Sequence, residues 1–196
     1  PIPKDPNPDV KSYILIDYDS GMVIAEKNAD LILPPASITK IMTSYIIFTE
    51  LKNDTLAKND DVIVSKKAWK TGGSKMFIEV GKKVKVSDLL QGIITSSGND
   101  ASVAMAEHIS GDEETFAIYM NQLAKNLGMT NTSYANSTGL PDDNLFTSAR
   151  DISTLARSLI KSFPKEYKLY SKKEYVYNEI KQYSRNKLLY LDDSVD

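Results

Sequence analysis

From Ser37 to Leu51 the chain reads Ser-Ile-Thr-Lys-Ile-Met-Thr-Ser-Tyr-Ile-Ile-Phe-Thr-Glu-Leu, directly after Pro34-Pro35-Ala36. Ile38, Ile41, Met42, Tyr45, Ile46 and Thr49 follow the i, i+3, i+4 repeat of a helix, and Ile47 and Phe48 widen the stripe. A helix apolar around most of its circumference has to be wrapped by the rest of the chain. The spacing predicts a buried helix over about 37–51, started by the proline loop. Ser37 and Lys40 are three residues apart, so they share a face one turn apart and can touch. A lysine in such a helix pays for its charge. Its pKa should fall, and it can then act as a base toward the neighbouring serine.

Composition sets bounds on the alternatives. The chain has 196 residues, enough for one domain with a core. Hydrophobic residues make up 41% and charged residues 26%, as in globular proteins. The net charge of -2, without any basic run, implies no nucleic-acid partner. With no cysteine, thiol catalysis, thiolate metal sites and disulfides are excluded. The sequence holds no 18-residue apolar run. Residues 1–11 read as an extended, proline-rich segment, either the end left by a removed export signal or an arbitrary boundary.

Residues 12–17 and 22–26 flank Asp19-Ser20-Gly21 and predict a hairpin. Short strands are expected at 61–65 and 76–80, separated by Gly72-Gly73. Helices are expected from Ser87-Asp88 to Ile94, over 100–109, and over 112–127 ended by Gly128. Residues 131–146 read as a loop. Ser148 opens another helix, with Asp151 placed as in a capping box. The segment 174–190 has strand-like pieces. Two strands alone make no stable sheet, so either this segment supplies partners or further chain does.

Several residues are candidates for chemistry, each with a plainer reading. Ser-x-x-Lys occurs four times, at Ser37, Ser158, Ser162 and Ser184. Only Ser37 combines a proline loop with an apolar helix, and spacing alone favours a helix cap even there. Ser97-Gly98-Asn99 interrupts an apolar helix with a hydroxyl and a carboxamide. Alone it reads more simply as a helix–helix turn. His108 is the single histidine and sits near a helix end, where it complements the helix dipole. No spacing suggests a zinc site around it. Asp112, Glu113 and Glu114 read as a solvated helix start.

Taken together, the motifs resemble the low-molecular-mass penicillin-binding proteins, the serine D-alanyl-D-alanine carboxypeptidases. The carriers are Pro35-Ala36-Ser37-Ile38-Thr39-Lys40 and Ser96-Ser97-Gly98-Asn99-Asp100-Ala101, followed by Asn136-Ser137-Thr138-Gly139-Leu140, Ser148-Ala149-Arg150-Asp151 and Arg185-Asn186-Lys187-Leu188-Leu189. The family's motif set is Ser-x-x-Lys, Ser-x-Asn and Lys-Thr-Gly. The resemblance implies an α/β (α+β) fold of the β-lactamase/transpeptidase type, an antiparallel sheet flanked by helices. Residues 12–196 would be the N-terminal part of such a catalytic domain. Ser37 would be the acylated nucleophile, Lys40 its base, and Ser97 a proton relay. Asn99 would hold the substrate amide, and Arg185 would contribute to the field that receives the substrate carboxylate. The Ser37 N–H would supply half of an oxyanion hole, the other half lying on a strand edge.

The resemblance further implies removal of the terminal D-alanine from peptidoglycan pentapeptides, with β-lactams as covalent inhibitors and no metal or organic cofactor. The setting would be the periplasm or another extracytoplasmic space, with membrane association through a part outside this chain. One departure stands out. Lys-Thr-Gly should follow Arg185 to Leu189, yet the only such triplet, Lys70-Thr71-Gly72, lies between the first two motifs and reads as a coincidental surface turn. The later strands are therefore expected from a remainder of the same protein. Two rivals share the motifs: a β-lactamase, weakened because 141–147 offers Asp142 and Asp143 but no glutamate, and a non-catalytic penicillin-binding-like fragment.

Overall fold

The structure, a computed structural model, describes residues 7–195. Most of the expected extended segment therefore lies outside the described residues. Residues 7–11 bend, with the Val10 N–H donating to the Pro8 carbonyl at 2.8 Å.

Helix α1 (Thr39–Lys52) is the axis of the molecule. Nine of its residues, from Thr39 to Phe48, are buried. It packs against α3 (Val86–Thr95), α4 (Asn99–Ser110), α5 (Glu113–Asn126) and α6 (Ala149–Ser162). This is the wrapping that an apolar run of this kind demands. The flanking helices are one-sided or small. α3 buries Leu89, Leu90 and Ile93, α6 buries Leu155 and Leu159, and α4 lies close through Ala101, Ala104 and Ala106. Phe48, Phe116, Met105 and Met120 fill the space between them.

Helix ends follow local chemistry. Asp112 accepts the Thr115 N–H at the start of α5, and Gly128, at φ +79°, closes its end with Met129 N–H on the Ala124 carbonyl. Ser148 accepts the Asp151 N–H as the cap of α6. The carboxylate of Asp151 does not return to that cap. It accepts from the Asn131 N–H and the Thr132 hydroxyl instead, fastening the 131–147 loop to α6. Nor does Ser87 cap α3, which starts one residue earlier behind Lys85.

The strands form three separate antiparallel pairs. β1 (Tyr13–Ile16) and β2 (Val23–Lys27) make the expected hairpin against α6. Arg157 on α6 clamps its turn by donating to the Tyr18 and Asp19 carbonyls at 2.6 and 2.7 Å. β3 (Asp61–Ile63) pairs with β4 (Lys83–Lys85), not with 76–80. That stretch is irregular because Phe77 sits at φ +68° and a buried carboxylate captures its backbone N–H groups. β5 (Glu174–Tyr177) and β6 (Ile180–Tyr183) pair with each other, so this segment adds no strand to β1–β2. Among the described residues no helix is long and apolar enough to cross a membrane.

Candidate active site

Two backbone breaks sit at helix junctions, one before α1 and one between α3 and α4. The first is the turn Ala36–Ile38, a single 3-10 turn before the helix. Ala36 lies at φ +47°, a left-handed conformation that costs a non-glycine residue about 1–2 kcal/mol. Ser37 is exposed on this turn. Gly139 braces it from behind. A Cβ at position 139 would fall 1.8 Å from the Ala36 carbonyl oxygen and 3.0 Å from the Ser37 nitrogen, and the residue sits at φ +86°. Only glycine lets the 136–140 loop press this close.

The second break is Ser96–Gly98, between α3 and α4. Ser97 adopts φ +59°, and its hydroxyl is buried without a hydrogen-bond partner among the described residues. Asn99 opens α4, its N–H donating to the Ser74 carbonyl at 2.7 Å.

Lys40 joins the two breaks. It is 5% exposed, and its Nζ donates to Asn99 Oδ1 at 2.7 Å and to the Thr138 carbonyl at 2.6 Å. Burial pulls its pKa down from 10.5 to about 8. The positive charge of Arg185 pulls the same way, and Asp100 opposes both. Arg185 donates to Ser74 Oγ at 2.9 Å, so it reaches the lysine through its field and not by contact. Asp100, 1% exposed, accepts the N–H groups of Met76, Phe77, Ile78 and Ala101, which fixes the 76–78 segment beside the second break.

The structure thus brings Lys40 and Asn99 into contact, with Arg185 and the Ser97 hydroxyl close in the fold. It does not join Ser37 to Lys40. Ser37 Oγ makes no hydrogen bond among the described residues, and the amine is drawn instead to Asn99 and Thr138. An amine with pKa near 8, one helical turn from an exposed serine, can take up a proton near neutral pH. Among the described residues no group of three or more acidic or histidine side chains converges as a metal would require.

Two other motif copies have structural partners. Ser158 pairs with the Tyr45 hydroxyl, and Asn186 caps a 3-10 turn by accepting the Leu188 N–H. Lys70-Thr71-Gly72 ends helix α2 (Lys66–Lys70), as a surface turn would, yet its Gly72 carbonyl accepts Asn99 Nδ2 at 2.8 Å. The reading as coincidence missed that contact. The Gly72-Gly73 pair was its signal, since a Cβ at Gly73 would fall 2.6 Å from that same nitrogen. Glu113 was also misread as solvated. Its side chain is 12% exposed and accepts from Ser137 N at 3.1 Å and Ser137 Oγ at 2.7 Å.

A family model described as D-alanyl-D-alanine carboxypeptidase, peptidase S11, matches residues 2–196. The chain belongs to this family. Among S11 relatives, the D-alanyl-D-alanine carboxypeptidase DacC of Escherichia coli (strain K12) is 45% identical over 191 residues, covering 94% of this chain and 48% of the relative. The chain spans about half the length of the curated relatives it matches. Penicillin binding protein 5 from Haemophilus influenzae superposes with TM-score 0.93 at 40% identity, over 95% of this chain and 55% of that one. Penicillin-Binding Protein D2 from Listeria monocytogenes, solved in an ampicillin-bound form, gives TM-score 0.81 at 26% identity, over 91% of this chain and 73% of that one. The S11 membership and these neighbours bear out the penicillin-binding, transpeptidase-like fold class.

Proposed function

We propose that the protein is a serine-type D-alanyl-D-alanine carboxypeptidase acting on the peptidoglycan stem pentapeptide. Ser37 Oγ attacks the carbonyl carbon between the two terminal D-alanines while Lys40 takes its proton. The oxyanion is received by the Ser37 N–H and a second N–H on a strand edge. The C–N bond breaks, Ser97 relays the proton to the departing D-alanine nitrogen, and Asn99 holds the substrate amide. Water then hydrolyses the Ser37 ester, releasing the shortened peptide and restoring the serine. Arg185 adds positive field for the substrate carboxylate. Residues 12–196 act in this reading as the N-terminal part of the catalytic domain. A further segment bearing Lys-Thr-Gly completes the site, and the protein works outside the cytoplasmic membrane, held there by a part outside this chain.

The observation that carries the proposal is Lys40. It is buried between Asn99 and Thr138 with its pKa lowered to about 8, on the helix that follows the Ser37 turn. The ampicillin-bound form of the Listeria relative supports β-lactam binding, and in this reading the drug acylates Ser37. The test is release of D-alanine from a synthetic pentapeptide ending in D-Ala-D-Ala, followed by mass spectrometry. Loss of one alanine, absent in Ser37→Ala, is the expected result. An unchanged pentapeptide, or an equally active Ser37→Ala, contradicts it.

A further inference from the structure

Glu113 is the first residue of α5, and its neighbours Asp112 and Glu114 do what acidic residues at a helix start commonly do. Asp112 caps the helix, and Glu114 stays exposed beside Lys67. Glu113 alone turns inward. Its Oε1 accepts both donors of Ser137, a residue with no exposed surface. On the other side the same stretch of backbone grips α1. The Ser137 carbonyl accepts from Thr43 Oγ1 at 2.7 Å, and the Thr138 carbonyl accepts from Lys40 Nζ at 2.6 Å. Lys40 and Thr43 are three residues apart on one helix face, so two successive carbonyls meet two successive turns.

We propose that Glu113 is a positioning residue for the Lys40 amine, acting through the backbone of Ser137 and Thr138. The proposal rests on the carboxypeptidase reading for its catalytic consequence, and on the structure alone for the position of the amine. Without Glu113, the Ser137 N–H and hydroxyl are left buried and unpaired, and the loop must move to find water. Asn136 braces the loop locally by accepting from the Thr138 N–H and hydroxyl and the Gly139 N–H. That brace keeps the turn's shape but does not tie it to the body of the protein. Glu113 ties it to α5, as Thr43 and Lys40 tie it to α1, and Lys67, 3.4 Å away, compensates its charge. The charged groups that set the charge state of Lys40 itself, Arg185 and Asp100, lie elsewhere in the site and are untouched by changes at Glu113.

The experiment compares the parent with Glu113→Ala, Glu113→Gln, Ser137→Ala and Glu114→Ala. Two quantities are read: the rate constant of acylation by a fluorescent penicillin across pH, and the pH dependence of competitive amine labelling at Lys40. Thermal melts confirm that each variant is folded. Glu113→Ala is expected to acylate on the order of 10–100 times more slowly, as for a reacting group displaced by about an ångström. Its Lys40 labelling midpoint falls, because an acceptor of the ammonium is lost. Glu113→Gln, whose amide oxygen can still accept from Ser137, recovers most of the rate. Ser137→Ala, which loses one bond of two, falls between, and Glu114→Ala matches the parent. A folded Glu113→Ala with parent rate and parent labelling overturns the proposal, and so does Glu113→Gln as slow as Glu113→Ala. If Glu113→Ala does not fold, Ser137→Ala with parent rate and parent labelling overturns it alone. If the parent itself is never acylated, the carboxypeptidase reading fails, while the Lys40 labelling still decides the role of Glu113.

Discussion

Lys40 carries a cost that should be measurable as stability. Its folded-state pKa, about 8, lies below the ordinary 10.5. Below pH 8 both the folded and the unfolded chain hold the proton, so the burial penalty is fully present. Between pH 8 and 10.5 the unfolded chain holds more protons, so stability rises with pH, and above 10.5 the contribution is flat. Over pH 8 to 9.5 the parent should therefore gain about 1–2 kcal/mol relative to Lys40→Met, read as the difference in urea unfolding free energy at the two pH values. Equal pH dependence in both proteins contradicts the lowered pKa. Ser97 carries a second cost. It combines a left-handed backbone with a buried hydroxyl that has no partner among the described residues. Strain of this kind concentrates at functional sites. Ser97→Gly should raise stability by about 1 kcal/mol while impairing acylation. A less stable Ser97→Gly would show that the turn is not strained.

At the scale of elements, the site is made by loops pressed onto helix starts, and Gly139 is the closest of these approaches. Gly139→Ala forces a side chain into the Ala36 carbonyl at a positive φ. The expected loss is about 2–4 kcal/mol of stability. Acylation should fall further than in a control such as Gly111→Ala, also at positive φ but with open space around it. Similar acylation in the two variants would mean that the loop does not brace the Ser37 turn. The elements also show what the sequence could and could not reveal. The buried helix from about Ser37 was legible because its apolar residues outnumber one stripe, and α6 because Ile152, Leu155 and Leu159 hold a clean period. Residues 76–80 looked like a strand because Met76, Ile78 and Val80 alternate. The competing interaction was Asp100, 22–24 residues away, which takes the N–H groups a strand would use. Glu113 looked solvated for the same reason: its partner Ser137 is far along the chain. Periodicity reports local faces, and neither of these long-range side-chain contacts leaves a local trace.

Among the described residues, one buried helix is wrapped by four others, with three small antiparallel strand pairs around them. The site follows from that plan. The turn before α1 brings Ser37 and α1 brings Lys40, the α3–α4 junction brings Ser97 and Asn99, and the 136–140 loop presses on the Ser37 turn and on Lys40. Those residues were legible as types and spacings. Their arrangement was legible only in part, since Lys40 meets Asn99 and Thr138 and not Ser37. The central claim is that this arrangement activates Ser37 as a nucleophile. Intact-mass measurement after incubation with a penicillin, followed by peptide mapping, tests it most directly. A single adduct on the peptide containing Ser37, lost in Ser37→Ala and strongly slowed in Lys40→Met, is the predicted result. An adduct on another serine, or one that persists in Ser37→Ala, contradicts the account.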